Sequence, residues 1–265
     1  MLSGSIAGPL ILALSGMAPL QDSVVLKDFE YFSKGPWIAF ASNNAPAKGS
    51  DTIRISPATF PNGTRFEWNF PEAEGGAIYS YAHLAWGNFV GGVPAQNVVV
   101  PRQIGRLAAF SEDLYFTTDA PGDNFNLLSE MYPTRVAGDA STQVAEVGVF
   151  RHAPAATRQF LRTGRRIGTV TERGRSWIVA QITSGVTTAD FPEGLPFYIF
   201  LPRTPGEVQG PVDIRRLLRY LVTRGELQDT HYINGYGSGV EAIQGSGSVT
   251  ISRIRMTMLD AASPY

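Results

Sequence analysis

Hydrophobic and polar positions alternate with a period of two along most of this chain. In RFEWNF, Phe66, Trp68 and Phe70 are interleaved with Glu67 and Asn69. In AIYSYAHLAW, Ile78, Ser80, Ala82, Leu84 and Trp86 share one phase. Leu114 and Phe116 mark a strand in EDLYFTT, and Trp177 and Val179 mark another in RSWIVAQI. Phe197–Leu201 (FYIFL) is a continuous apolar run, as expected of a strand covered on both faces. Val249, Ile251, Ile254 and Met256 predict a last strand. Gly, Pro, Asn and Asp punctuate these runs, which is how short β-strands are bounded. One segment follows a helical period instead. From Asp213, a good N-cap, Ile214, Leu217, Leu218 and Leu221 fall on one face and Arg215, Arg216 and Arg219 on the other, and Gly225 supplies the stop. The pattern predicts an all-β fold: a β-sandwich of two antiparallel sheets with one outer α-helix.

Composition narrows the class. The 265 residues, 43% hydrophobic and 17% charged, suffice for a single large domain over 1–265, and 28 Gly and 18 Pro fit a turn-rich architecture. A net charge of −1 argues against nucleic acid as a partner, because phosphate binding needs a clustered basic face. With no cysteine there is no disulfide, no zinc–thiolate site and no thiol nucleophile. Residues 5–19 are apolar but too short to span a bilayer. Residues 1–25 are therefore read as an apolar lead-in or export-signal remnant, and the protein as secreted or periplasmic. Residues 133–166 carry six arginines and a short helix around Ala155–Arg162, and are read as an insertion near a cleft.

Cofactor chemistry finds no motif. His83, His152 and His231 are isolated, without ligand spacing for a metal. GYGSGVE (235–241) fits neither G-x-S-x-G around Ser238 nor G-x-G-x-x-G, and no phosphate loop is present, so no cofactor is expected. The same stretch holds the most informative carboxylate. Glu241 sits among glycines at 237, 239, 245 and 247 before the last strand, where close backbone approach can present an acid to a long ligand.

The residues G-V-E-A-I-Q-G, following a short helix and preceding a final strand, resemble the C-terminus of glycoside hydrolase family 12, the β-jelly-roll endoglucanases. The resemblance runs over about residues 36–258, through GAIYSYAHLAW (76–86), EDLYFTT (112–118), the hairpin 166–185 and PFYIFLPR (196–203). It implies a jelly roll with a concave cleft that holds polysaccharide or oligosaccharide, with Glu241 as general acid/base. It places Asp113 at the family's aspartate beside the nucleophile. The family's nucleophile strand reads G-D-Y-E-x-M-I-W. Here GDNFNLLSEMY (122–132) puts Asn126 at the nucleophile position and Glu130 at that of the tryptophan.

An amide forms no glycosyl ester, so three readings stay open. Glu241 acts with Asp113 as its partner by inversion, Asn126 orienting water or a sugar hydroxyl, or with Glu130 if the cleavage point has moved. Alternatively the register is shifted and Glu130 is the nucleophile; in either case the enzyme is expected to be endo-acting or transglycosylating. In the third reading the chain is a non-catalytic carbohydrate-binding or structural β-sandwich protein. Trp68, Trp86, Tyr79, Tyr81 and Tyr236 are the aromatic candidates for stacking on sugar rings.

Overall fold

The computed structural model describes residues 23–71, 78–89 and 99–261. The apolar lead-in over residues 1–22 lies outside them. In chain order the strands are β1 (Val24–Leu26), β2 (Tyr31–Lys34), β3 (Trp37–Phe40), β4 (Ser50–Ile55), β5 (Thr64–Phe70), β6 (Ser80–Gly87), β7 (Arg102–Gln103), β8 (Leu107–Asp119), β9 (Phe125–Met131) and β10 (Glu146–His152). Helix α1 (Ala155–Leu161) follows, then β11 (Arg165–Glu172), β12 (Arg175–Thr183), β13 (Pro196–Pro202) and β14 (Gly210–Asp213). Helix α2 (Ile214–Thr223) precedes β15 (Tyr232–Ile233), β16 (Gly235–Ala242) and β17 (Gly245–Asp260).

Two sheets form the jelly roll. The outer sheet has the order β1-β4-β5-β17-β8-β14 and the inner one β11-β12-β13-β10-β9-β16-β6-β3-β2. Their facing sides enclose the main core, where Phe66, Trp68, Phe70, Leu84, Phe116 and Phe125 meet in one cluster and Phe110, Trp177, Phe200 and Tyr236 in another. All neighbours are antiparallel except β10 and β13, which run parallel. That corrects the expectation of wholly antiparallel sheets. Parallel neighbours need a long crossover, and here α1, β11 and β12 supply it.

The hairpin β11–β12 turns at Arg173 and Gly174, both with positive φ, as a two-residue turn matching strand twist requires. Helix α2 is the expected outer helix. The Asp213 side chain accepts from the Arg216 N–H at 3.0 Å, and Ile214, Leu217, Leu218 and Leu221 are buried. Such a cap is worth about 1 kcal/mol. Residues 133–166 are not an insertion as a whole. Their middle part is β10, which lies in the centre of the inner sheet with almost every side chain buried. Arg165 and Arg166 already belong to β11 of the same sheet, and α1 lies outside both sheets.

Candidate active site

The concave face of the inner sheet is set by strand register. Across β16 and β9, Glu241 is opposite Asn126, Gly239 opposite Leu128 and Gly237 opposite Glu130. Across β16 and β6, Glu241 is opposite Tyr81. Alternate residues share a face, so Asn126, Leu128 and Glu130 share one side with Glu241, while Phe125, Leu127 and Met131 enter the cores between the sheets. The glycines have a steric purpose here. A Cβ on Gly237 would lie 2.7 Å from the Phe89 ring, and one on Gly245 would meet the Asn124 amide at 2.6 Å.

A cavity of about 740 Å³ opens on this face. Its polar side is formed by Glu241, Asn126, Asp123 and Gln244, and its apolar side by Phe150, Ile182 and Phe197 with Phe160 and Leu161 of α1. The half-buried Glu241 accepts a hydrogen bond from Asn126 Nδ2 to Oε2 at 2.8 Å. The other end of that amide, Asn126 Oδ1, is buried without a protein partner. Burial pushes the Glu241 carboxyl up to about 7, the Asn126 bond opposes the rise, and the charge of Glu146 adds to it. About half of Glu241 is thus still protonated at neutrality, where an ordinary glutamate is almost wholly ionised, so it can serve as a general acid. A depression of similar size, about 750 Å³, lies over Arg65, Glu67 and Ser248 of the outer sheet. There Glu67 is already paired with Arg54 and Arg65, so the chemistry points to the concave cavity.

Asp123 is the other carboxylate of the cavity wall, and the sequence reading passed over it. It sits in the turn before β9. That turn is fixed by Asn124 N–H to Pro121 O at 3.1 Å and by His152 Nε2 donating to Gly122 O at 2.7 Å. The Asn124 carbonyl in turn accepts from Ile243 N at 2.9 Å, which ties the turn to the chain just beyond Glu241. The only signal for Asp123 in the sequence was its place in GDNF, three residues before Asn126.

Glu130 is on the expected face but outside the cavity. It is 5% exposed and hydrogen-bonded to Glu146, which is 7% exposed and went unnoticed in the sequence. Two ionised carboxylates cannot share such a bond; burial raises both carboxyls, and the bond between them favours the proton on Glu130, since it raises Glu130 and lowers Glu146. Burial raises Glu130 well above the usual range, and the charges of Glu146 and Glu241 raise it further. Ser184 Oγ donates to Glu146, and the Tyr132 hydroxyl donates to Glu130 at 3.4 Å. Covered and protonated, Glu130 is neither a nucleophile nor a base in this arrangement.

Asp113 is on the wrong sheet for a partner. It projects outward from β8 and accepts from Arg253. Its neighbour Glu112 points inward and is fully buried between the sheets, paired with Arg151 and accepting from Ser129 Oγ at 2.9 Å. Ser238 also donates to Glu112, so this serine belongs to the core.

Among the aromatic candidates, Trp68 is in the core against Phe125, with Nε1 donating to the Gln244 carbonyl at 3.3 Å. Trp86 packs against both central clusters, and Tyr236 is buried beside Phe110. These three belong to the interior, because their alternation phase is the core phase; Tyr79, which precedes β6, joins the same core by stacking on Phe70. Tyr81 faces the concave side but stacks on His83 with its hydroxyl buried. Among the described residues no cluster of acids and histidines is arranged to hold a metal ion, and no helix is long and apolar enough to cross a membrane.

No family model matches this sequence, and no curated protein matches it either. Solved structures do. A native family 12 xyloglucanase from Bacillus licheniformis superposes with a TM-score of 0.70 at 16% identity, over 89% of this chain and 100% of the other. The catalytic domain of Humicola grisea Cel12A, in complex with a soaked thio cellotetraose, gives 0.68 at 16% identity over 89% and 99%. The endoglucanase Cel12A from Rhodothermus marinus gives 0.65 at 16% identity over 89% and 100%. The fold is that of the family 12 glycoside hydrolases. At these identities the likeness is one of fold, and activity has to be argued from the residues of this chain.

Proposed function

We propose that this protein is a glycan-active hydrolase in which Glu241 is the general acid, Asp123 the general base and Asn126 the residue that positions both substrate and acid. The observation that carries this reading is a carboxyl held near pKa 7 on the wall of a cleft that has one further carboxylate. In the proposed step Glu241 gives its proton to the glycosidic oxygen as the bond to the anomeric carbon breaks. A water in the cleft attacks that carbon and yields a proton to Asp123. The sum is addition of one water across the bond, with inversion. Inverting enzymes hold their carboxyls about 6.5–9.5 Å apart to leave room for that water. A cleft of this size suits a short run of sugars, since ligand pockets are commonly about 300–1,000 Å³. Endo action on a longer chain accords with that. Export, which would bring the enzyme to its polymer, belongs to the same proposal.

Asn126 at the nucleophile position favours a second reading, in which the cleft binds glycan without cutting it. One assay separates the two. Wild type, Glu241→Gln and Asp123→Asn are offered soluble β-glucan, xyloglucan, xylan and mannan, with released reducing ends counted and the first anomer followed by proton NMR. The hydrolase reading expects turnover by wild type, its loss in both variants, and an α-anomer first from a β-linked chain. Undiminished turnover in Asp123→Asn removes Asp123 from the mechanism. Binding without turnover on every glycan selects the binding protein.

A further inference from the structure

We infer a second subsite on the concave face that recognises an anionic group, carboxylate or sulfate, carried on a sugar of the same glycan. The inference rests on the hydrolase or glycan-binding reading of the cleft and names the substrate class.

Beyond Leu161, which also walls the cleft, lies a pocket of about 310 Å³. Its floor is aliphatic: Ile178 and Ala180 of β12, with Ile199 and Leu201 of β13. Register places these residues on the face that carries the cleft, because Ile182 is opposite Phe197, Ala180 opposite Ile199 and Ile178 opposite Leu201. The pocket is therefore displaced by two to four residues, about 7–13 Å along the strands from the Ile182–Phe197 row. A single short glycan reaches both.

The rim is built from Arg158, Arg162 and Arg166. Their chemistry differs from that of the other arginines in the segment. Arg135 is paired with Asp190, Arg151 with Glu112, and Arg165 with Glu226. None of the three rim arginines has a carboxylate partner among the described residues. Arg158 is buried and spends one nitrogen on the Pro202 carbonyl at 2.6 Å. Its charge is disfavoured first by burial and then by Arg162 beside it. Concentrating like charge over an apolar floor is costly unless an anion joins it. The floor suits the C–H face of a pyranose, and guanidinium forks suit a planar carboxylate or a sulfate. Neutral glucan offers those forks only uncharged hydroxyl acceptors, so the preferred glycan is acidic.

The test is calorimetric titration of full-length Glu241→Gln protein with cellotetraose, tetraglucuronate of the same linkage, and sulfated cellotetraose. At least one acidic chain should bind about tenfold or more tighter than the neutral one, the scale of a hydrogen bond to a charged group. The advantage should shrink as salt is raised. Arg162→Ala/Arg166→Ala, made at exposed positions, should bring the acidic and neutral chains within about twofold of each other. Preference for the sulfated chain over the uronate supports the subsite with sulfate as its anion. Equal binding of acidic and neutral chains overturns it, as does a preference that survives the arginine substitutions, or no binding of either acidic chain. Turnover of neutral glycans by wild type is measured separately. It tells the loss of this subsite from the loss of the hydrolase reading, which the subsite result does not touch.

Discussion

Neighbouring residues of β9 serve two different buried acids. Ser129 turns inward and donates to Glu112, whereas Glu130 turns to the concave face and meets Glu146. Glu112 has a full complement of partners: the Arg151 guanidinium, Ser129 and Ser238. The concave acids Glu241, Glu130 and Glu146 have amide, phenol and hydroxyl partners but no cation. The first arrangement keeps an ion in the core by neutralising it. The second keeps protons on carboxyls, and one of those carboxyls lines a cleft. A paired ion belongs to the architecture; an unpaired acid on a cleft is a chemical resource.

The largest effect is expected in the core. Arg151→Met would leave Glu112 buried and uncompensated, at a cost of about 3–5 kcal/mol, while the Glu112→Gln/Arg151→Met pair should recover most of that loss. Urea denaturation of both reads the difference. Next in size is Glu241→Gln, which should lower turnover by about 10²–10⁴-fold without unfolding the protein. Wild-type turnover should also fall on the alkaline side with an apparent pKa of about 7, as Glu241 ionises.

Stability sharpens the contrast. Glu241 has a folded pKa above its ordinary 4.5, so its charged form is the one the fold disfavours. Its contribution should be harmless below about pH 4.5 and become destabilising as pH rises to about 7, then level off. Glu241→Gln should be up to about 3 kcal/mol more stable than wild type at pH 8, and close to it at pH 4. Glu130→Gln should shift stability in the same direction at alkaline pH, seen as a melting temperature that gains more at pH 9 than at pH 5. The smallest effect belongs to Asp113→Asn, which loses only its surface pair with Arg253. A change under about 1 kcal/mol and unaltered turnover are expected.

Asp113 also shows where the sequence was readable and where it was misread. Phe110, Leu114 and Phe116 are all core residues in one phase of β8. That phase contains Glu112, so the alternation itself assigned Glu112 inward and Asp113 outward. The family resemblance drew attention to the wrong member of the pair. The same period-two logic located β5, β6, β12 and β17 and put Asn126 and Glu130 on one face, while a continuous apolar run located β13. What it lacks is the sign of a face. Phe66, Trp68 and Phe70 alternate equally well whether they line a groove or a core, and only the second sheet decides. The strand β10 was hidden for a different reason. Its apolar run lies within an arginine-rich segment, and both of its faces are covered, so no alternation marks it. Asp123 and Glu146 needed tertiary structure, since Asp123 joins Glu241 only in lining the cleft and Glu146 acts on it only by its charge.

Glu241 keeps a proton near neutrality because it is buried on the cleft wall and no cation pairs with it. Carbon-13 NMR of protein labelled at the glutamate carboxyls, titrated from pH 3 to 9 and assigned by comparison with Glu241→Gln, measures this directly. A Glu241 resonance that titrates near pH 7 is the predicted result. Titration near 4.5, like an exposed glutamate, would contradict it and leave the cleft without its acid.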